Sequence, residues 1–194
     1  NNGRKTASSI LSMNKNSVLK KITEGSTDIF VHVSKEKKKG PGKKISGTSF
    51  YNPTMELNRS LSILFLQWFV DKSNHSLKVL DGLSSSGIRG VRLANEVDGD
   101  FKVYLNDWDK NAFDLINKNI EYNNLKNAVS LNSNLNRVLS KDKFDYIDID
   151  PFGSPVYFFD SAVRSIKHNG VISFTATDTA TLCGVYKKVA RRRY

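Results

Sequence analysis

The chain has 194 residues, enough for one domain of ordinary size with a substantial apolar core, and its 39% hydrophobic and 10% aromatic content with only 4 Pro and 12 Gly excludes disordered, collagen-like and mucin-like classes. The formal charge of +11 is unevenly spread: residues 1–22, 35–44 and 187–194 each sum to +5, which leaves −4 for the remainder. A mildly acidic body with basic ends and one basic loop fits a polyanion held by peripheral arms, or else lysine runs that only keep the surface solvated.

In chain order, residues 1–22 are polar and aperiodic and read as a flexible basic segment, and residues 23–52 as a small strand and loop region. Within it, residues 28–33 alternate weakly, as a short strand or hairpin arm does. Residues 35–44, broken by Gly40, Pro41 and Gly42, read as an exposed loop whose Lys37, Lys38 and Lys39 are candidate phosphate contacts. From residue 53 the pattern becomes helical: Pro53 can open a helix, and Leu57, Leu61, Leu64 and Trp68 recur every three or four residues, which predicts an inward face.

Strands and helices then alternate. Strands are predicted at 77–80, 101–105, 128–131, 144–149 and 171–175, and helices at 87–96, 109–122, 135–139 and 154–167. In the last of these helices Phe159, Ala162, Val163 and Ile166 should face inward. Five such units imply an α/β fold, a mostly parallel sheet with helices on both faces, in residues 53–194. Ligands of such sheets bind beyond the carboxyl ends of the strands, where strand order reverses. That directs attention to the residues just after each predicted strand.

The first such turn runs Asp81-Gly82-Leu83-Ser84-Ser85-Ser86-Gly87-Ile88-Arg89. Gly82 and Gly87 allow positive φ or a close backbone approach, and a helix amino terminus offers free N–H groups. It is neither of the common phosphate-binding glycine patterns, which disfavours a nicotinamide-dependent oxidoreductase. An acid facing an ammonium, with Arg89 or amides holding a carboxylate, suits a zwitterion such as S-adenosylmethionine. A plain βα turn is the alternative. After the next strand Asp107 could accept two ribose hydroxyls; either it or Asp109 caps the helix that follows, and Asp109 suits the cap better.

Asp148-Ile149-Asp150-Pro151-Phe152-Gly153-Ser154-Pro155 is the sharpest feature. Pro151 constrains Asp150 to extended backbone, and in a strand Asp148 and Asp150 share a face while Ile149 takes the other. A carboxylate there can accept a hydrogen from an exocyclic base amine as positive charge grows on nitrogen, and the Phe152 ring can stack on an extruded base. The alternative is a structural turn. Arg59, near a helix start, either pairs with Glu56 or faces a local anion. Asp178 either caps a helix or lines a base pocket. Cys183, the only cysteine, excludes an internal disulfide and reads as a small buried residue in a reducing compartment. His32, His75 and His168 lack ligand spacing, so no metal is expected. No apolar run is long enough to cross a bilayer. The start at Asn1 suggests a processed or truncated terminus, with Met13 an alternative start.

Together, Phe50-Tyr51-Asn52-Pro53 with Asn58-Arg59, Gly87-Ile88-Arg89-Gly90, Asn106-Asp107, the Asp150–Pro155 turn, and Thr175-Ala176-Thr177-Asp178 through Leu182-Cys183-Gly184 resemble the tRNA guanosine-26 N2-dimethyltransferase family. The resemblance implies a Rossmann-like S-adenosylmethionine-dependent methyltransferase fold. It further implies methylation of guanine N2 in tRNA, once or twice, by a cytoplasmic monomer, or a nuclear or mitochondrial one in a eukaryote.

By position Arg59 and Arg89 resemble residues around the cofactor, Asp107 the ribose-binding acid, Asp150 the catalytic acid, and Phe152 the residue beside the base. Pro151, Gly153, Asp178, Arg191 and Arg192 fall to the substrate side. Asn134 stands where many members carry an acid near adenine, and Ser60 replaces the usual acid after Asn-Arg. Relatives continue with further strands and a carboxyl-terminal domain, so a sheet lacking its last strands is expected. The rivals are an amino methyltransferase for another RNA or DNA position, separable only at the turn around Asp150, and a non-catalytic RNA-binding fragment.

Overall fold

The computed structural model describes residues 17–34 and 51–194; Lys37, Lys38 and Lys39 lie outside them. A hairpin of β1 (Ser17–Glu24) and β2 (Thr27–Ser34) comes first. Residues 17–22, read as flexible because the opening segment is polar and aperiodic, are thus a strand, paired in register from Ser17 with Ser34 to Glu24 with Thr27. A 3₁₀ turn (Pro53–Met55) leads into α1 (Glu56–Lys72). Then follow β3 (Leu77–Asp81), α2 (Ile88–Glu96), β4 (Phe101–Asn106), α3 (Lys110–Tyr122), β5 (Ala128–Leu131) and α4 (Leu135–Lys141). The chain continues through β6 (Phe144–Ile149), α5 (Val156–Ser165) and β7 (Ile166–Phe174) to two short helices, α6 (Thr179–Leu182) and α7 (Lys187–Arg193).

Strands β3 to β7 form one parallel sheet in the order β5-β4-β3-β6-β7. The chain leaves β3 towards β4 and β5, then returns to the other side for β6 and β7, so the order reverses at β3 and β6. Side chains alternate between the faces of the sheet. On one face Val79, Val103 and Tyr146 pack with Leu66 of α1, Val91 and Leu93 of α2, and Ile29 and Val31 of the hairpin. On the other, Leu80, Ile147 and Ile149 pack with Leu135 and Leu139 of α4 and Ala162 of α5. The hairpin is therefore part of the same core as the sheet. Asn119 of α3, fully buried, binds it as another strand would: its Oδ1 accepts from Phe30 N at 2.8 Å and its Nδ2 donates to Phe30 O at 3.0 Å.

Two predicted packing faces and one predicted buried residue are corrected. Leu57, Leu61, Leu64 and Trp68 are exposed, and the inward side of α1 carries Arg59, Ser62 and Leu66. Both sides of this helix share the helical period, so periodicity alone could not select the phase, and a buried arginine needed a partner 35 residues away. In α5, Ala162 and Ser165 are buried whereas Phe159 and Val163 are about half exposed. Cys183, at the end of α6, is exposed. No described helix is long and apolar enough to cross a membrane.

Candidate active site

A cleft of about 710 Å³ opens at the carboxyl ends of β3, β4 and β6, where the strand order reverses. Arg59, Asp81, Arg89, Asp107, Asp150, Pro151 and Phe152 all line it, together with Tyr51, Ser84 to Ser86, Trp108 and Thr177.

The β3 turn is built by its backbone. Gly87, the amino cap of α2, sits at φ 79°, and a Cβ there would also meet Ile116 Cγ1 at 3.1 Å. A glycine cap has no side chain to accept from the first turn of the helix. Asp81 supplies that acceptor from the end of β3, its Oδ2 taking the Gly90 N–H at 3.0 Å. Gly82 approaches β6 closely, donating to Asp148 O at 2.9 Å.

Asp107 directly follows the neighbouring strand β4 and is 9% exposed. Its Oδ2 accepts from Ser85 N and its Oδ1 from Asp109 N, both at 2.9 Å, which fixes the carboxylate towards the cleft. Asp109 caps α3 as its position suggests, accepting from Asn111 N.

The sheet alternation puts Asp148 and Asp150 on one side and Ile149 in the opposite core. Arg89 reaches across from α2 to meet both acids. Its Nη2 donates to Asp150 Oδ2 at 2.8 Å and to Asn58 Oδ1 at 2.7 Å, and its Nη1 donates to Ser62 Oγ at 2.7 Å. Its Nε lies 3.2 Å from Asp148 Oδ1, close enough for an ion pair but off the hydrogen-bond line, so that oxygen has no hydrogen-bond partner. Three of Arg89's N–H groups thus go to the protein's own Asp150, Asn58 and Ser62, which leaves fewer for the ligand carboxylate that the sequence suggested. Burial, with the Asp148 charge beside it, pushes the Asp81 carboxyl up to about 7, and burial raises Asp148 as well, against the pull of Arg89.

The turn after β6 is locked to the segment leaving β7. Gly153, at φ 93°, donates to Thr177 Oγ1 at 2.9 Å and accepts from Thr177 N at 3.1 Å. This holds Pro151 and Phe152 at the cleft mouth, with Phe152 58% exposed.

Arg59 does face an anion, but it is Glu24 of β1, not Glu56. Burial raises the Glu24 carboxyl, and the bonds from Arg59 and Arg92 more than offset this, so it lies below the usual range. Four of the remaining sequence candidates lie away from the cleft wall. Asn134 caps α4, accepting from Asn136 N. Asp178 neither makes a side-chain cap for α6 nor lines the cleft; its carboxylate accepts from Tyr194 Oη at 2.6 Å and Arg193 Nη1 at 3.2 Å. Arg191 and Arg192 are exposed on α7.

Sequence reasoning missed Asn58, Ser62 and Glu24 as partners of the site arginines. Polar residues on the inward face of α1 were the available sign. Among the described residues no cluster of His, Cys, Asp and Glu could hold a metal ion.

Residues 28–194 match the family model for N2,N2-dimethylguanosine tRNA methyltransferase. A tRNA (guanine(26)-N(2))-dimethyltransferase of Methanococcus maripaludis is 40% identical over 182 residues, covering 91% of this chain and 47% of the relative. Its counterpart from Methanobrevibacter smithii is 44% identical over 147 residues, covering 75% of this chain and 38% of the relative. The chain therefore spans less than half the length of these curated relatives. Among solved structures, Trm1 of Pyrococcus horikoshii in complex with S-adenosyl-L-methionine superposes with a TM-score of 0.75 at 33% identity, over 91% of this chain and 47% of that one. An M. jannaschii tRNA m1G37 methyltransferase, at 18% identity and a TM-score of 0.61, shares the fold. The Rossmann-like sheet, the acid-lined cleft at its reversal point and these matches agree, and the chain belongs to the N2,N2-dimethylguanosine tRNA methyltransferase family.

Proposed function

We propose that this chain is the catalytic portion of an enzyme that methylates the exocyclic N2 of guanosine 26 in tRNA with S-adenosylmethionine. The observation that carries the reading is Asp150: it directly follows β6 at the reversal point, is held by Arg89 at 2.8 Å, and is followed by Pro151 and an exposed Phe152 on the same cleft as Asp81 and Asp107.

The cleft residues fit the cofactor. Buried Ser86 Oγ lines the cleft with no hydrogen-bond partner among the described residues, so polar capacity is unspent there. Asp81 suits an ammonium, Asp107 a ribose diol, and Arg59 a carboxylate. When bound, S-adenosylmethionine supplies an electrophilic methyl group on a cationic sulfur.

The protein supplies the rest. Guanine N2 is a weak nucleophile because its lone pair is delocalised into the ring. Asp150, aimed by Arg89 and kept extended by Pro151, accepts an N2 hydrogen and opposes the positive charge that grows on nitrogen. Phe152 gives the flipped base a face to stack on. The exposed arginines of α7, and the lysines of residues 35–44, are suited to phosphates rather than base edges. The test is single-turnover transfer from labelled S-adenosylmethionine to unmodified tRNA, followed by nucleoside analysis. Label on N2-methylguanosine and N2,N2-dimethylguanosine is expected, and label on adenine or cytosine overturns the reading.

A further inference from the structure

We propose that Glu24, on the amino-terminal hairpin, is a positioning residue that aims the Arg59 guanidinium into the cofactor cleft. The proposal rests on the cofactor reading above and extends it to a residue outside the cleft wall.

Glu24 is 2% exposed and Arg59 5% exposed, so their pairing is shielded from solvent. The carboxylate takes one edge of the guanidinium as a fork: Nε donates to Oε1 and Nη2 to Oε2, both at 2.6 Å. The second Nη2 hydrogen goes to Asn52 O at 3.1 Å, and the Tyr51 ring lies 5.4 Å from the guanidinium carbon. Tyr51 Oη in turn donates to Glu24 Oε2 at 3.2 Å. The plane and rotation of the guanidinium are thereby fixed from several sides. Nη1 is left with no hydrogen bond to a described residue, on a side chain that lines the cleft. A pair of N–H donors on a cationic group, left without a partner among the described residues, selects an anionic ligand atom, and a carboxylate on a small zwitterion has that chemistry.

The anchor itself is held from outside the cleft. Arg92 Nη1 donates to Glu24 Oε1 at 2.9 Å, and Glu96 takes Arg92 Nε and Nη2 at 2.9 and 3.0 Å. Thr27 Oγ1, at the far side of the hairpin turn, donates to Glu96 Oε1 at 2.7 Å. Two arginines and two glutamates balance in charge, so the cluster persists without a ligand, and Arg59 presents directed donors rather than surplus charge. A glutamine at position 24 would turn an amide N–H₂ towards one of the arginine donors and break the fork.

The test is a double-mutant cycle in calorimetric titration of the chain with S-adenosylmethionine, using Glu24→Gln, Arg59→Ala and the pair. Each single variant is expected to weaken binding about tenfold, and the pair no more than Arg59→Ala alone, because Glu24 acts through Arg59. A purely structural Glu24 would give losses that multiply in the pair, and affinity unchanged in Glu24→Gln overturns the proposal equally. If Glu24→Gln does not fold, the ligand-free wild type still decides: the Arg59 Nε–H should exchange slowly with solvent in NMR, and exchange as fast as in free arginine overturns the proposal. Failure of the unsubstituted chain to bind at all overturns the cofactor reading and this inference with it, whereas tight wild-type binding untouched by Glu24→Gln overturns this inference alone.

Discussion

Arg89 Nη2 donates to Asp150 Oδ2 at 2.8 Å while the same guanidinium lies 3.2 Å from Asp148, so one side chain from α2 ties together Asp148 of β6 and Asp150 in the turn that follows it. Asp148 is 1% exposed and Asp81 3% exposed, and Arg89 is the cation that compensates both. Removing one partner of a buried ion pair leaves an uncompensated charge, which costs about 3–5 kcal/mol. Arg89→Met should therefore lose roughly that much in urea unfolding, and adding Asp148→Asn should recover part of it. Equal stability of Arg89→Met and wild type would show that Arg89 does not carry this charge balance.

Asp107 should matter to binding more than to folding. Both its oxygens accept backbone amides, which holds the carboxylate at the cleft wall, where a ribose diol would meet it. Asp107→Ala is expected to weaken S-adenosylmethionine by about 2–3 kcal/mol, or roughly 30- to 150-fold. Calorimetry that returns the wild-type dissociation constant would remove the ribose assignment.

Much of this site was readable from the chain because it lies where backbone rules act. The acids at 81, 107 and 150 each lie just after a predicted strand, and parallel sheets gather such residues at one end. What could not be read was mostly long-range. The Glu24 fork on Arg59 spans 35 residues and the Asn119 bond to Phe30 spans 89, and no local period encodes either. The inward phase of α1 failed for the same reason. Leu57, Leu61, Leu64 and Trp68 have the period of a core face, but Arg59 and Ser62 face inward because Glu24 and Arg89 await them there. Asn134 and Asp178 share a different physical cause: short polar side chains at helix starts find local partners or those of a neighbouring helix before they reach a ligand.

Cofactor binding should depend on pH through Asp81. Its carboxyl titrates at about 7 in the ligand-free cleft, so below that pH it is largely protonated and an ammonium must displace the proton. Affinity should rise as pH increases through about 7, with proton release on binding below it and little above it. Titrations in buffers of different ionisation enthalpy read the proton count directly. A count near zero at pH 6 would show that Asp81 does not meet the ammonium.

At the amino ends of the strands, Asp145 sets an acid limit of opposite sign. Burial raises its carboxyl, but Lys167 Nζ at 2.8 Å, His75 Nε2 at 3.0 Å and Lys78 N at 2.7 Å outweigh this and lower it. A carboxylate with a depressed folded-state value stabilises the fold fully above the unfolded value of about 3.9 and loses that contribution as pH falls through the folded value. Asp145→Asn should lower the melting temperature at pH 7, and the gap to wild type should close as the pH falls below about 4. A gap that stays constant down to pH 3 would assign the loss to packing alone.

In the proposed reaction the chemistry turns on Asp150 and Phe152, which the same turn presents but which should fail in different ways. Asp150→Asn keeps an acceptor and the approximate shape and removes the charge that opposes positive charge on N2. Electrostatic stabilisation of that kind is worth roughly 100-fold or more, so single-turnover methyl transfer to tRNA should slow by that factor with cofactor affinity little changed. Asn at 150 also gives Arg89 a neutral acceptor in place of an ion-pair partner, so a melting curve should accompany the rate to separate a loosened Arg89 from lost chemistry. Phe152 is 58% exposed and supports little of the core, so Phe152→Ala should leave stability close to wild type. Its cost should fall on placement of the base, about 1–3 kcal/mol in the apparent affinity for tRNA in the transfer reaction, as expected for loss of one stacking face. Wild-type rates from Asp150→Asn would refute the acid's role, and a Phe152→Ala variant with unchanged dependence on tRNA concentration would move base stacking to another residue of the cleft, of which Trp108, 75% exposed on its wall, is the nearest in kind.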